Sequence, residues 1–148
     1  MLVRDLMTTS VKTVSPDSKL AEVASMMCLY RYSGLPVIEK GKLIGIVAEK
    51  DVLAQLFPTV DDTMQSMSTI DFERLADEYG HILHLKVRDI MSSRVKTVSP
   101  DMHAVKAAVI MAGNRFRRIP VAEGDRLVGM LSLGDVHKAL FHRQVSRL

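Results

Sequence analysis

Three arginines within four consecutive positions are the side chains of this chain best suited to bind an anion. The segment reads Arg115-Phe116-Arg117-Arg118 and is followed by Ile119-Pro120. Guanidinium groups match phosphate oxygens through paired hydrogen bonds, so Arg117 and Arg118 predict contact with a phosphate group. The alternative is a solvated basic patch, or ion pairs between subunits.

A second candidate group lies where a buried strand is expected to give way to a helix. Ser132 ends the apolar run, and Asp135 follows three positions later. A carboxylate offers two acceptor oxygens and a hydroxyl can donate or accept, so both side chains suit a ligand with hydroxyl or phosphate groups. Both residue types also accept from the free N–H groups at helix starts, and such capping is the alternative role.

Both groups lie in the second copy of a sequence that occurs twice. Residues 3–17 read VRDLMTTSVKTVSPD and residues 87–101 read VRDIMSSRVKTVSPD, an offset of 84 that holds without a gap to Phe57 and Phe141. A repeat of this size cannot bury its own apolar face, so the two copies are expected to stack as a pair. Clefts between such copies are common ligand sites.

Each copy gives the same order of elements. In the first copy, Val11–Val14, Leu35–Ile38 and Leu43–Ala48 predict strands, and Glu49–Phe57 predicts a helix that Pro58 stops. Ser15–Ser18 supplies helix-start residues for a helix between the first two strands. Its predicted apolar stripe is Leu20, Val23, Ala24, Met27 and Tyr30, with Val105, Ala108, Met111 and Ala112 in the second copy.

The predicted fold class is therefore α+β, with two stacked β-α-β-β-α repeats and a short helical insert between them. The first repeat covers residues 1–58, the insert 59–86 and the second repeat 87–148. Within the insert, Thr59–Met67 predicts one helix, and Asp71 predicts the cap of a second helix that Gly80 stops.

Composition favours a globular protein that functions without a membrane or nucleic acid. The 148 residues are 47% apolar, and the apolar runs are too short to cross a bilayer. The N-terminus lacks a signal-peptide pattern and Cys28 is the single cysteine, so a cytoplasmic location is expected. The net charge of +3 is mild and no recognition motif is present, which makes nucleic acid an unlikely partner.

Catalytic and metal chemistry find little support in the sequence. There are no paired acids, catalytic triad or phosphate loop, so an enzyme is not expected. His81 and His84 lack a third ligand nearby, and the ten methionines have the helical spacing of core residues. No metal is predicted.

The repeat resembles the CBS domain, the cystathionine-β-synthase module, arranged as a tandem pair of the stand-alone prokaryotic kind. The motifs that carry the resemblance are Val3–Met7 and Val87–Met91, each followed by Val-Lys-Thr-Val-Ser-Pro, then Leu35–Ile38 and Ile119–Val121, and finally Gly45–Asp51 and Gly129–Asp135. Only the insert and the C-terminal tail fall outside it.

This resemblance implies two repeats packed as a pseudo-twofold module and a sensor of adenosyl ligands without catalysis. The ligand would be AMP, ADP or ATP, with S-adenosylmethionine or NAD as alternatives. It implies that Asp135 accepts from the ribose hydroxyls, that Ser132 contacts the ribose or a phosphate, and that Arg117 and Arg118 face the phosphates. The adenine slot would comprise backbone at Thr97 and Val98 and the side chains of Ile90, Met91 and Pro120.

The first copy departs from the pattern and predicts a weaker site. Ala48 stands where the pattern has a hydroxyl residue, and Ser33-Gly34 stands where the second copy has two arginines. Asp51 is kept, and Lys50 beside it could reach a phosphate. Binding is therefore expected to be tighter at Asp135.

The resemblance implies a regulatory module that signals to a partner protein in trans; the alternative is an oligomerisation scaffold without a ligand. A homodimer is expected because the long helices carry more apolar residues than one buried stripe needs. The surplus residues are Ala21, Met26, Cys28, Leu29, Ala107, Val109 and Ile110. The rival explanation is that the helix at Asp71–Tyr79 covers one of these faces.

Overall fold

The computed structural model describes residues 1–57, 64–65 and 67–148. Its helices are α1 (Val3–Leu6), α2 (Leu20–Tyr30), α3 (Glu49–Ala54), α4 (Phe72–Ile82), α5 (Val87–Ile90), α6 (Ala104–Gly113) and α7 (Leu133–Val145), with a 3₁₀ turn at Met67–Thr69. Its strands are β1 (Gly34–Glu39), β2 (Lys42–Ala48), β3 (Arg118–Glu123) and β4 (Arg126–Ser132). The α+β class and the paired strands are confirmed, whereas most of the Thr59–Met67 prediction lies outside the described residues.

The chain divides into two compact units, each with its own core. Unit 1 comprises Met1–Lys12, Gly41–Leu43 and Val95–Leu148, and unit 2 comprises Thr13–Lys40 and Ile44–Arg94. Each unit thus combines most of one sequence repeat with the N-terminal segment of the other repeat. Helix α1 lies in unit 1, and α5 lies in unit 2.

In unit 2, helix α2 covers the core beside the β1–β2 sheet. Leu20, Val23, Ala24 and Met27 are buried as predicted. The prediction is wrong for Tyr30, which is 55% exposed. The helix ends at this residue, because Arg31 follows in the left-handed conformation with a φ of 56° and turns the chain away from the helical path.

In unit 1, helix α6 packs in a different rotation from the predicted one. Its buried residues are Ala104, Ala107 and Met111, whereas Val105 and Ala112 are exposed. The helix is apolar on nearly all sides, so periodicity alone does not fix its buried face. The repeat offset does fix it, because it maps Leu20, Val23 and Met27 onto the three buried positions.

The surplus apolar residues divide into exposed and packed ones. Leu29 and Val109 are 74% and 65% exposed, and Ala21 and Cys28 are also exposed. The insert helix therefore does not cover Leu29. The prediction is wrong for Ala107, which is fully buried, and Met26 and Ile110 pack against the cores of their units.

The predicted strands at Val11–Val14 and Val95–Val98 are reduced to single-residue bridges. Val14 pairs in parallel with Val37, and Val98 with Val121. Val14 N–H donates to the Pro36 carbonyl, and Val14 accepts from Ile38 N–H. Extending the ladder in either direction would need an N–H from Pro36 or Pro16, which proline lacks.

The Ser15–Ser18 segment forms a turn, and the helix it was expected to cap begins at Leu20. Ser18 Oγ accepts from Ser15 N–H at 3.2 Å, and Ser15 Oγ accepts from Asp17 N–H at 3.2 Å. The Asp17 carboxylate pairs instead with Arg88 at 2.8 Å. Both serine hydroxyls accept hydrogen bonds within the turn. The N-cap of α2 is therefore Lys19, which makes no side-chain hydrogen bond to the helix.

The two Val-Arg-Asp motifs have equivalent places in the two units. In unit 1, Arg4 pairs with Asp101, and in unit 2, Arg88 pairs with Asp17. The hydrogen bonds to these carboxylates raise the pKa of both guanidinium groups, which therefore stay charged. Both pairs are exposed, so water screens them and each contributes little to stability.

The insert ends in a helix whose start agrees with the prediction and whose end does not. Asp71 accepts from Arg74 N–H at 3.2 Å and caps α4. The prediction that Gly80 stops the helix is wrong, because α4 continues to Ile82, which is buried in the core of unit 2. After Ile82 the chain is bound to the start of α2 by two backbone hydrogen bonds, because the Leu83 carbonyl accepts from Ala21 N–H at 3.1 Å and the Leu85 carbonyl accepts from Leu20 N–H at 2.9 Å.

Gly129 allows the N-terminal segment to lie against β4. A Cβ at Gly129 would lie 2.8 Å from Met7 Sδ and 2.9 Å from the Thr8 carbonyl oxygen. Thr8 and Met130 exchange two backbone hydrogen bonds of 2.9 Å, so the Thr8 backbone cannot move away freely. We therefore expect Gly129→Ala to lower the free energy of unfolding by about 1–3 kcal/mol, as overpacking does.

Urea denaturation measures this effect, with Gly113→Ala as the matched control. Gly113 lies at the end of α6, and nothing lies within 4 Å of its Cβ position. The control should therefore be neutral or stabilising, since alanine favours helix. Equal stability of the two variants would contradict the close approach at Gly129.

Candidate functional site

In unit 1, the candidate residues lie at one end of a short sheet. The register of the antiparallel sheet pairs Arg118, the first residue of β3, with Ser132, the last residue of β4. On the other side of β3, Val98 N–H donates to the Pro120 carbonyl at 3.1 Å. Helix α7 begins directly after Ser132. The fold thus brings together two arginines, a hydroxyl and the N-terminus of a helix.

Ser132 and Asp135 bond to each other's backbone in a capping box. Ser132 Oγ accepts from Asp135 N–H at 3.0 Å, and Asp135 Oδ2 accepts from Ser132 N–H at 2.9 Å. The helix-capping alternative for Ser132 is therefore correct, and Asp135 occupies the third helical position. The exchange fixes both side chains before any ligand arrives.

Capping leaves part of each group available for a ligand. Asp135 Oδ1 makes no hydrogen bond within residues 1–57, 64–65 and 67–148, and Asp135 is half-buried. The Ser132 hydroxyl accepts one hydrogen bond and still has its own proton to donate. An acceptor and a donor that capping leaves available therefore lie within the first turn of the same helix.

The arginine side chains are exposed and unpaired. Over the part of the chain that the structure describes, neither Arg117 nor Arg118 forms a hydrogen bond or ion pair with a carboxylate. Cross-strand partners project on the same face of a sheet, so Arg118 shares a face with Ser132. The Arg117 carbonyl accepts from Leu133 N–H at 2.9 Å, which ties Arg117 to the first turn of α7.

Arg31 and Arg115 have a backbone role in their loops. Both adopt left-handed conformations, with φ of 56° and 59°, directly after α2 and shortly after α6. A residue with a Cβ rarely adopts this conformation, which reverses the chain at the ends of helices. Their equivalence in the two repeats therefore follows from chain geometry.

The residues of the predicted adenine slot are divided between the two units. Thr97, Val98 and Pro120 lie in unit 1, with Val98 and Pro120 buried and Thr97 exposed. Ile90 and Met91 lie in unit 2 and pack against its core. The exchange of N-terminal segments causes this difference.

The residues that take the places of Ile90 and Met91 in unit 1 are Leu6 and Met7. Both pack against the core of that unit. Sequence reasoning missed them because it assigned each motif to its own repeat. The offset of 84 identifies the equivalence, but nothing in the sequence signals the exchange.

Unit 2 has the same backbone frame with different side chains. Asp51 Oδ2 accepts from Ala48 N–H at 2.8 Å, and the Ser33 carbonyl accepts from Glu49 N–H at 2.9 Å. The Ala48 side chain has no oxygen to accept from Asp51 N–H, so the second half of the capping box is missing. Lys50 is exposed in the first turn of α3. The frame is conserved between units, whereas the groups that could bind an anion differ.

This difference predicts that adding a hydroxyl to unit 2 and removing one from unit 1 have opposite effects on stability. Ala48→Ser should complete the capping box and raise the free energy of unfolding by about 0.5–1 kcal/mol, while Ser132→Ala should lower it by about 1 kcal/mol. Chemical denaturation of the two variants tests both. A loss of stability in Ala48→Ser would show that the frames are not equivalent.

Other classes of function would need a metal site or a membrane-spanning helix. Within residues 1–57, 64–65 and 67–148, no group of three or more His, Cys, Asp or Glu side chains is placed to hold a metal ion. No helix in the same ranges is long and apolar enough to cross a membrane.

Comparison with known proteins gives matches over nearly the whole chain. The CBS domain family matches residues 3–57 and 87–142. The CBS domain-containing protein YhcV of Bacillus subtilis is 31% identical over 134 residues, covering 90% of this chain and 81% of YhcV.

Solved structures of CBS pairs share the fold. CBSX2 of Arabidopsis thaliana in complex with AMP has a TM-score of 0.73 and 26% identity, covering 97% of this chain and 98% of CBSX2. The CBS domain pair of MJ0100, in complex with 5′-methylthioadenosine and S-adenosylmethionine, has a TM-score of 0.69 and 19% identity, covering 97% of this chain and 98% of that chain. Since the family matches both repeats, this chain belongs to the CBS domain family and carries two copies of the domain.

Proposed function

We propose that unit 1 binds an adenine nucleotide, AMP, ADP or ATP, as a regulatory ligand. The observation that carries the proposal is the pair of exposed, unpaired guanidinium groups of Arg117 and Arg118 beside the capping box of Ser132 and Asp135. Asp135 Oδ1 would accept from the ribose hydroxyls, and the arginines would bind phosphate. The similarity to CBSX2, which was solved in complex with AMP, supports this ligand class.

Phosphate is favoured over other anions by the arrangement of donors. Arg118 and the Ser132 hydroxyl project on one face, and the positive end of the α7 dipole lies beside them. A tetrahedral phosphate has enough oxygens to accept from all of them. Pro120, on the same face of β3 as Arg118, would contact the base together with Thr97 and Val98.

S-adenosylmethionine, the alternative ligand, fits the same ribose site less well. Its sulfonium carries a positive charge, which would lie near two unpaired arginines and gain nothing from them. NAD has a pyrophosphate and remains compatible with the arginines. The charge of the site therefore favours nucleotides that carry phosphate.

The ligand would act by shifting the populations of two arrangements of the protein. Binding stabilises whichever arrangement has the higher affinity, and a partner protein in trans would bind that arrangement. Unit 2, with Asp51 and Lys50 but without the two arginines, would bind more weakly. We propose no catalysis and no resident metal.

Isothermal titration with AMP, ADP, ATP, NAD and S-adenosylmethionine tests the proposal. We expect the phosphate-bearing nucleotides to bind and to bind more tightly than S-adenosylmethionine. A protein that binds none of the five would be an oligomerisation scaffold instead. Binding of RNA or DNA with a steep dependence on salt and no response to mononucleotides would indicate a nucleic-acid protein.

We further propose that the chain forms a homodimer through its exposed apolar helix faces. Leu29 on α2 and Val109 on α6 are large exposed apolar side chains. Sedimentation at low micromolar concentration should show a species of twice the chain mass of 16.5 kDa, whereas a single species at the chain mass would exclude the dimer. Val109→Glu should yield monomers, because Val109 is exposed while Ile110 packs inward.

A further inference from the structure

Helix α4 of the insert carries an apolar strip that extends beyond the core of unit 2. Ile82 is buried in that core, Tyr79 is half-buried, and Phe72 is 55% exposed. Residues that are three or seven positions apart lie on one face of a helix, so these side chains belong to a single strip. The N-terminal end of the strip therefore lies in solvent.

Other exposed positions extend the open end of this strip. Ala76, one turn after Phe72, is exposed. Among the described residues, nothing lies within 4 Å of the Cβ position of Gly80, one turn further along. Met67, in the 3₁₀ turn that precedes the helix, is 45% exposed. Large apolar side chains that are exposed close together are typical of interaction surfaces.

Two carboxylates run beside the strip. Glu73 and Asp77 are one turn apart and follow Phe72 and Ala76 by one position each, so they form a second row parallel to the first. Both are exposed, and neither carboxylate forms a hydrogen bond or ion pair among the residues that the structure describes. Aspartate is a weak helix former, so the stability of α4 does not explain Asp77 in the helix interior.

The insert as a whole has the same sign of charge. Residues 59–86 contain 6 of the 17 aspartates and glutamates and 2 of the 20 lysines and arginines, so the formal charge of the insert is −4 and that of the remaining chain is +7. Nucleic acids and anionic lipid surfaces would be repelled by this segment. The chemistry that complements it is a polypeptide with basic and apolar side chains.

We propose that the α4 face, which comprises Met67, Phe72, Glu73, Ala76 and Asp77, binds a basic amphipathic helix of a different protein. Apolar side chains of that helix would pack on Phe72 and Ala76, and its lysines or arginines would pair with the two carboxylates. A helix fits because its own rows of residues can lie along those of α4. The assignment rests on the proposed function, in which a partner protein acts in trans, and it specifies the chemistry of that partner.

A synthetic peptide of leucine and lysine, with its leucines on one side of a helix, is the probe for this face. The control peptide has glutamate in place of every lysine. The chain contains no tryptophan, so Phe72→Trp introduces a single fluorescent reporter. We expect the lysine peptide to shift its emission to shorter wavelength, because binding removes the indole from water, and the glutamate peptide to leave it unchanged.

NMR spectra of the full wild-type chain locate the bound peptide. We expect the lysine peptide to shift the backbone amide signals of residues 67–80. Shifts centred on another helix, equal binding of the two peptides, or binding of neither would each overturn the proposal. Shifts of the same signals with protein concentration, in the absence of peptide, would show that a second copy covers the face and would also overturn it.

Variants of the full chain test the two rows separately by isothermal titration. Phe72→Ala should weaken binding of the lysine peptide about tenfold, and Glu73→Gln/Asp77→Asn should weaken it about fivefold. The matched control is Glu22→Gln/Glu49→Gln, which removes the same charge from exposed positions of unit 2 and should change affinity little. Equal effects of the two double variants would reduce the contact to the general charge of unit 2 and contradict a specific face.

Titration of the same protein with AMP separates this proposal from the nucleotide proposal. Peptide binding without AMP binding would support the α4 face and remove the proposed ligand. AMP binding without peptide binding would leave the ligand standing and overturn the α4 face.

Discussion

Replacing both unpaired arginines should abolish the advantage of AMP over adenosine. We expect Arg117→Ala/Arg118→Ala to weaken AMP binding at least about 100-fold, since charge-assisted hydrogen bonds contribute about 1.5–3 kcal/mol each. Adenosine has no phosphate, so its affinity should be unchanged. Of the single variants, Arg118→Ala should have the larger effect, because Arg118 shares a face with Ser132. Isothermal titration with AMP and with adenosine measures these affinities for the wild type and the three variants.

A charge-matched control separates specific contact from the general field of unit 1. Arg126→Ala/Arg143→Ala removes the same charge from exposed positions of the same unit, and it should change AMP affinity little. Rising salt should reduce the advantage of AMP over adenosine in the wild type. Equal affinity of the wild type for AMP and adenosine would contradict phosphate contact by these arginines.

Removing the Asp135 carboxylate should eliminate the tighter phase of nucleotide binding. We expect Asp135→Ala to weaken binding about 30–100-fold, because two ribose hydroxyls lose a charged acceptor. The same change removes the hydrogen bond from Ser132 N–H and should lower the free energy of unfolding by about 1 kcal/mol. Titration below the unfolding transition separates the two effects.

Asp51→Ala is the control, because Asp51 makes the equivalent backbone hydrogen bond in unit 2. It should cost similar stability and leave the tighter phase intact. Asp135→Asn adds a finer test, since its amide oxygen can keep the bond to Ser132 while the second carboxylate oxygen is replaced by a donor. Loss of the tighter phase in Asp51→Ala, with retention in Asp135→Ala, would reverse the assignment of the sites.

The sequence predicted the elements well where local chemistry decides them. The β1–β2 and β3–β4 pairs follow from apolar runs bounded by turn residues, and Asp71 caps its helix as its residue type favours. Periodicity failed on α6, because a helix that is apolar on most sides has no unique buried face. The repeat resolved that case through the equivalence of Met27 and Met111.

The exchange of N-terminal segments could not be predicted from the sequence. The Val-Arg-Asp motifs are nearly identical, so either unit could receive either segment on local grounds. Connectivity and tertiary packing decide, and the result places Ile90 and Met91 in unit 2, whereas the other candidate residues of the second repeat belong to unit 1. By contrast, local structure was enough to group the other candidates. Ser132 and Asp135 are three positions apart, and Arg118 pairs with Ser132 across adjacent strands.

The central claim is that unit 1 holds an adenine nucleotide at the start of α7, and a crystal structure of the protein with AMP tests it most directly. The account predicts ribose hydroxyls within hydrogen-bond distance of Asp135 Oδ1 and phosphate oxygens on the guanidinium groups of Arg118 and Arg117. AMP bound only beside Asp51, or bound with its phosphate away from both arginines, would contradict the account.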